Sequence, residues 1–219
     1  MDRHSASLLP VLIGGSVILL VGMGIRSSFG LFQIPVAEEF GWLRAAFSLA
    51  IAIQNLAWGI AQPIFAAIAE RFGDRRAIVL GALLYAGGLV LSAFAVTPGQ
   101  HQLLEAFVGL AIAGTGFGFI LAIVGRAAPE EKRSMALGIA TAAGSGGQVA
   151  GPVLAEILLA TMPWQSVFLV FAAPILGTLL ILPMLRGPAP AGTGASRQSL
   201  GDALGRAFRD PSYMLIFVG

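Results

Sequence analysis

Apolar residues run in six long blocks along the chain, separated by short polar or charged connections. The blocks cover roughly residues 9–35, 44–69, 77–97, 103–126, 134–161 and 165–185. A helix needs about 20 mostly apolar residues to cross a hydrocarbon core, so every block is long enough to span a bilayer. Several exceed the minimum, which tilt or protruding ends accommodate. The first block is too long for a signal-peptide core, and no small-residue cleavage site follows it. The pattern predicts an all-α membrane protein with a six-helix transmembrane bundle over residues 1–186.

The pattern changes after the sixth block. Residues 187–209 begin in a Gly-, Pro-, Ala- and Ser-rich stretch that reads as a flexible linker. Leu200, Leu204 and Phe208 then recur every four residues, with Asp202, Arg206 and Arg209 off that face. This predicts a short amphipathic helix on the cytoplasmic membrane surface. In residues 210–219, Asp210 suits a helix cap with Pro211 at the first helical position, and an apolar run begins. That run reads as the truncated start of a seventh span, and the chain as the first half of a longer protein.

Composition agrees with the blocks. Of 219 residues, 57% are hydrophobic and 11% charged, against about 25% charged in soluble domains. There are no cysteines, so disulfides and thiol metal sites are excluded. His4 and His101 lie far apart in sequence and make no metal motif; no metal or other cofactor is expected. The basic residues sit between apolar blocks rather than on one basic face, which argues against nucleic acid. Alternate connections hold eleven of them: Arg3, Arg71, Arg75, Arg76, Arg126, Lys132, Arg133, Arg186, Arg197, Arg206 and Arg209. The opposite connections hold Arg44 alone. The positive-inside rule then places the N-terminus in the cytoplasm, and the expected location is the cell (inner) membrane. Trp42 and Trp164 fall at the outer ends of the second and sixth blocks, where interfacial tryptophans are favoured.

Many of the 29 glycines lie inside blocks. Gly114, Gly116 and Gly118 mark the fourth; Gly138, Gly144, Gly146, Gly147 and Gly151, followed by Pro152, mark the fifth. In lipid, helices associate by close backbone approach, which small residues permit. A fifth helix that flexes or slides is the second reading, and Pro152 favours a kink because it lacks a backbone donor.

Two stretches resemble the major facilitator superfamily. "AAIAERFGDRR", residues 66–76, is similar to its signature Gly-x-x-x-Asp-Arg-x-Gly-Arg-Arg. Glu70 takes the Asp place, Arg71 the Arg, Gly73 the second Gly and Arg75 the last basic place, whereas Ala66 and Asp74 depart from it. "GIATAAGSGGQVAGP", residues 138–152, fits Gly-x8-Gly-x3-Gly-Pro through Gly138, Gly147, Gly151 and Pro152. The usual following Gly-Gly is Ala155-Glu156, so antiport is not inferred. "RSSFGLFQIPVAEEFGW", "SLAIAIQNLAWGIAQP" and "GRAAPEEKRSMALGIATAAGSGGQ" look like the bacterial monocarboxylate and oxalate–formate porters. The resemblance implies the six-helix N-terminal half of a twelve-helix fold, with substrate at the midplane between halves. It also implies that Glu70, Arg71, Gly73, Arg75, Arg126, Gly147, Gly151 and Pro152 serve gating or conformational switching.

Ionisable residues inside spans are candidate functional groups. Arg26 is the one charge between Leu8 and Leu31. It lies about fifteen residues beyond Val11, so roughly 22 Å along a helix. One reading has it snorkel to water. The other has it bind a carboxylate with its planar donor fork, with Gln33 seven positions on sharing its face. Gln54, Trp58 and Gln62 form one stripe of the second span beside Asn55. These polar groups, and Gln148 of the fifth span, suit either substrate contact or interhelical hydrogen bonds. Tyr85 reads as packing. Glu105 and Glu156 read as hydrated at the outer interface, with proton coupling as the alternative. Arg126 is expected to pair with a loop carboxylate such as Glu70, Glu130 or Glu131.

The reading that follows is a secondary transporter of small organic anions, a proton symporter or an anion exchanger. Its expected partners are the anion, a proton or counter-anion, the lipid bilayer and a C-terminal half of the same chain. The alternatives are an exporter of drugs or other amphipathic compounds and a non-transporting membrane sensor or assembly factor. No phosphate-binding loop or hydrolase motif is present, so neither a pump nor an enzyme is expected.

Overall fold

A computed structural model describes residues 5–185 and residue 209. The expected linker helix, apart from Arg209, and the expected start of a seventh span lie outside the described residues. Eight α-helices occur among the described residues: α1 (Ser5–Ser28), α2 (Gln33–Phe40), α3 (Arg44–Phe72), α4 (Asp74–Ser92), α5 (Pro98–Ile112), α6 (Phe117–Ala127), α7 (Glu130–Leu159) and α8 (Trp164–Gly177). A 3-10 turn, Phe29–Phe32, joins α1 to α2, and another, Thr178–Met184, extends α8.

Five of the six expected spans are long and apolar enough to cross a membrane: Leu8–Phe40, Arg44–Phe72, Asp74–Ser92, Pro98–Ala127 and Trp164–Met184. The fifth, α7, has the length at 30 residues. Its glycines, Ser145 and Gln148 dilute its apolar content below that of the other five. Its large side chains, Val149, Val153 and Ile157, point outward, while Ala136, Ala140, Gly144, Gly147 and Ala155 face the bundle. The other helices also carry large apolar residues on the outside, Leu56, Ile60, Leu83 and Leu103 among them, but bury large ones too, such as Leu19, Met23, Leu89 and Phe168. Small residues within and large apolar ones without are what a lipid solvent selects.

The fourth block differs from a continuous helix. Its backbone leaves the α-helical path between α5 and α6, where Ala113, Gly114 and Thr115 each donate to the carbonyl three residues back. Gly116 is extended at φ −88°, ψ −178°. Side-chain space explains the break: a Cβ on Gly114 would lie 2.4 Å from the Phe65 ring and 3.0 Å from the Gly81 Cα. The chain meets α3 and α4 there at a distance that only glycine allows.

α1 packs chiefly on α7, and α3 chiefly on α5. Both contacts bring backbone against backbone. A Cβ on Gly147 would sit 2.1 Å from the Leu20 carbonyl oxygen, and one on Gly151 would sit 2.1 Å from that of Gly24. On the other pair, a Cβ on Gly109 would sit 2.2 Å from the Gln54 carbonyl oxygen. α4 lies against α5 and α8, and its Tyr85 hydroxyl donates to the Gly22 carbonyl of α1 at 3.2 Å.

Aromatic side chains close the end of the bundle remote from the α3–α4 turn. Phe32 stacks on Phe168 with ring centroids 4.3 Å apart, and Phe40 stacks on Trp42 at 5.2 Å. Trp164 begins α8, at the end of the span where it was expected. It is buried between Phe40 and Phe168, and its indole N–H donates to Glu39. That donor has a protein partner, so the ring needs no contact with interfacial water. Trp42 remains half-buried.

The glycine contacts make a direct prediction. Gly151→Ala forces α1 and α7 apart and lowers stability by about 1–3 kcal/mol, the range for overpacking. Gly146→Ala, where nothing lies within 4 Å of an added Cβ, leaves stability unchanged or slightly raised. Thermal melting of the two variants in lipid nanodiscs tests this; equal melting temperatures would refute it.

Candidate functional site

Arg26 lies in the last turn of α1, half-buried, and reaches across to α3. Its Nη2 donates to Asn55 Oδ1. Its guanidinium carbon stands 4.6 Å from the centre of the Trp58 ring, a cation–π contact worth about 0.5–2 kcal/mol. Asn55 and Trp58 are three apart on α3, so one face of that helix presents both. The Asn55 amide is itself oriented, because Nδ2 donates to the Ile51 carbonyl at 2.8 Å. Arg26 Nε and Trp58 Nε1 are buried donors without partners among the described residues. No carboxylate forms an ion pair with Arg26 among the described residues. The guanidinium is therefore held by a neutral amide and a π-face, with its charge uncompensated.

The remaining sequence candidates take varied positions. Gln33 was expected on the face of Arg26. The Phe29–Phe32 turn interrupts the α-helical register between them, and the Gln33 amide donates to the Arg44 carbonyl at 3.1 Å and Ser48 Oγ at 3.0 Å. Gln54 is buried and turned away from Arg26, donating to Glu105 Oε2 of α5 at 2.6 Å. Gln62 lies over Gly118, and Trp58 over Gly116, at the start of α6. Gln148 is exposed on α7, and its carbonyl accepts from Ser27 Oγ at 3.2 Å. Glu105 differs from the hydrated group expected: it is 0% exposed. The α3–α5 contact through Gly109 brings the two helices too close to admit water there. Glu156 is exposed.

At the other end, Glu70, Arg71 and Arg75 are exposed around the α3–α4 turn. Gly73 makes this turn at φ +90°, a conformation that favours glycine. Arg71 lies 5.3 Å from the Phe72 ring. Arg126 does not choose Glu70, Glu130 or Glu131; its Nη2 binds Asp74 Oδ2 at 2.7 Å. Asp74 is the first residue of α4, where the helix dipole favours an anion. The residue that departs from the family signature is thus the one that carries the ion pair. Gly147 and Gly151 form the α1 contact described above, and α7 continues unbroken through Pro152.

Two pairings escaped the sequence reading, Asp74 with Arg126 and Glu105 with Gln54. The first joins residues 52 apart and the second residues 51 apart, so no local spacing signals either. The spacing of four between His101 and Glu105 was legible and places both on one face of α5.

A bundle of apolar helices, packed through glycines around an uncompensated arginine, defines a multi-pass membrane protein with a polar site between its helices. The sequence profile of the Major Facilitator Superfamily matches residues 15–219, and the chain belongs to that superfamily. Membership bears out the resemblance read from residues 66–76 and 138–152. The chain is 28% identical to the methyl viologen resistance protein SmvA of Salmonella typhimurium over 196 residues, covering 90% of this chain and 37% of that protein. It is 31% identical to human monocarboxylate transporter 11 over 198 residues, covering 83% of this chain and 39% of the relative. A probable chloroplastic anion transporter 3 from Arabidopsis thaliana is 28% identical over 144 residues, covering 64% of this chain and 28% of that protein. The fold is similar to that of a bacterial homologue of the human lysosomal transporter Spinster, inward-facing and unoccupied. The TM-score is 0.66 at 19% identity, over 95% of this chain and 49% of the other. The chain thus spans about two fifths of the length of the first two of these relatives and about half of the solved structure.

The Arg126–Asp74 pair is partly exposed, at 30% and 11% of the two side chains. Its coupling energy is expected between the surface and buried cases, about 1–3 kcal/mol. A double-mutant cycle of Asp74→Asn and Arg126→Gln, read by thermal stability, measures it. Additive single effects would show that the pair contributes nothing.

Proposed function

We propose that the protein is a secondary active transporter of small organic anions, monocarboxylates or small dicarboxylates, working by alternating access. The uncompensated Arg26 guanidinium, seated on Trp58 and steadied by Asn55, carries this reading. Unpartnered N–H groups on Arg26 and Trp58 are what a carboxylate would satisfy. An intramembrane charge without a protein counter-ion makes sense where a substrate supplies one. The monocarboxylate and anion transporters among the relatives support an anionic substrate. Gln33 and Gln148 enter the proposal as further polar groups of the substrate path, whereas Gln54, buried against Glu105, does not. The α3–α4 turn with Arg126 and Asp74, and the α1–α7 glycine contact, supply the gating elements. Proton symport and anion exchange both suit this chemistry. The distribution of basic residues supports a cell (inner) membrane location with a cytoplasmic N-terminus.

Export of organic cations or drugs is the second reading, favoured by the similarity to the methyl viologen resistance protein. The two readings separate on charge, because a cation gains nothing from Arg26.

Full-length protein in proteoliposomes is expected to accumulate labelled lactate, pyruvate, formate or oxalate. Arg26→Ala lowers uptake at least about 30-fold, the factor for losing about 2 kcal/mol from a charge-assisted contact. Arg26→Lys keeps the charge and loses the fork, so it raises KM. Wild-type uptake by Arg26→Ala sinks the anion site; methyl viologen efflux without anion uptake favours the second reading.

A further inference from the structure

Glu105 and His101 stand one turn apart on α5, both closed off from solvent at 0% and 2% exposure. The Gln54 amide of α3 donates to Glu105 Oε2 at 2.6 Å. Glu105 Oε1 has no partner among the described residues, and neither has His101 Nε2, 3.8 Å away. His101 is stacked on Phe47 at 5.0 Å and lies 5.9 Å from Trp42, so aromatic rings separate it from the bundle end. Two unsatisfied polar atoms face each other at 3.8 Å, too far to share a hydrogen bond.

Charge balance limits what this cluster holds. A carboxylate beside a neutral imidazole is a bare buried anion, which is costly. A carboxyl group beside a neutral imidazole is uncharged, and a carboxylate beside an imidazolium is a compensated pair. Both favourable states contain the same single acidic proton, and at 3.8 Å no direct hydrogen bond supports the ion pair, so the proton rests on Glu105 Oε1. Among the described residues, nothing else nearby neutralises the cluster. α3 has ionisable side chains only at its ends, Arg44, Glu70 and Arg71. α4 carries Asp74, Arg75 and Arg76 at its start, and Tyr85, within electrostatic range of Glu105 but with its hydroxyl committed to Gly22. Arg26, the one charge in α1, is engaged with Asn55 and Trp58.

We infer that Glu105 and His101 form a one-proton binding site, linked to the Arg26 site through the adjacent residues Gln54 and Asn55. Gln54 grips the proton site and Asn55 grips Arg26, so a shift of α3 moves both. Release breaks the Glu105 Oε1–H bond and leaves the carboxylate hydrogen-bonded to Gln54; because the cluster is closed off from solvent in this arrangement, the proton passes by way of His101 Nε2 to water that enters when α3 shifts against α5. Proton binding at Glu105 stands on this cluster alone; only the linkage rests on the anion-transport reading.

Infrared difference spectroscopy on the full-length protein in lipid tests the site without transport. Wild type shows a carboxylic-acid C=O band lost at alkaline pH, and Glu105→Gln lacks that band entirely. Arg26→Ala retains it, so failure of the anion reading and failure of the proton site are distinguishable. Should Glu105→Gln fail to fold, Gln54→Leu removes one hydrogen bond from the carboxyl and moves the band to higher frequency. Absence of the band in wild type, its persistence in Glu105→Gln, or an unmoved band in Gln54→Leu overturns the proton site. For the linkage, a proton gradient stimulates anion uptake by wild type, and Glu105→Gln loses the stimulation. Equal stimulation of both, or none of wild type, overturns the linkage.

Discussion

Backbone-to-backbone contact through glycine is the constraint on which the rest of this structure depends. Lipid offers helices no hydrophobic reward for meeting, because the tails are as apolar as leucine. Dispersion and polar contacts must hold the bundle, and both fall off steeply with distance. Gly147 and Gly151 set α1 against α7, and Gly109 sets α3 against α5. The second contact has a chemical consequence. It brings the Gln54 amide to the Glu105 carboxyl group and shuts out water that would otherwise solvate it. A side chain at Gly109 would push apart the helices that make the polar pair possible.

Polar groups in this bundle are treated unequally. Tyr85, Gln54 and Ser28 make hydrogen bonds to neighbouring helices or to their own turn and are fully used. Arg26, Trp58, His101 and Glu105 each retain a buried atom without a partner. Unmade hydrogen bonds in a low-dielectric interior cost more than made ones gain; Ser16, Asp74, Ser92, Thr115 and Arg126 also retain such atoms elsewhere in the bundle, but these four border two faces of α3, where a ligand or proton would complete the set. Asn55 faces one and Gln54 the other. A helix that carries both cannot move without altering each.

The two ends of the bundle use different physics. The aromatic end is closed by stacked rings and the Glu39–Trp164 contact, which suit a desolvated surface. The basic end is held by Arg126 and Asp74, a partly exposed ion pair. Asp74 gains further from its place at the start of α4, so the departure from the signature sets an anion where the signature has a cation and gives Arg126 its partner.

The sequence by itself determined the solvent, the number of apolar blocks and the superfamily, because block length and small-residue motifs are local properties of the chain. It also singled out Arg26, since one charge in a long apolar run is conspicuous whatever the fold. The break between α5 and α6 was hidden, although Gly114, Gly116 and Gly118 were in plain view: glycine permits a break, and only the approach of Phe65 and Gly81 demands one. The turn at Phe29–Phe32, which takes Gln33 off the α-helical register of Arg26, left no mark in an unbroken apolar run. Partners for Arg126 and Glu105 were likewise decided by tertiary structure. A carboxylate is chosen by distance in space, and residues some fifty positions apart acquire a distance only when the helices between them have packed.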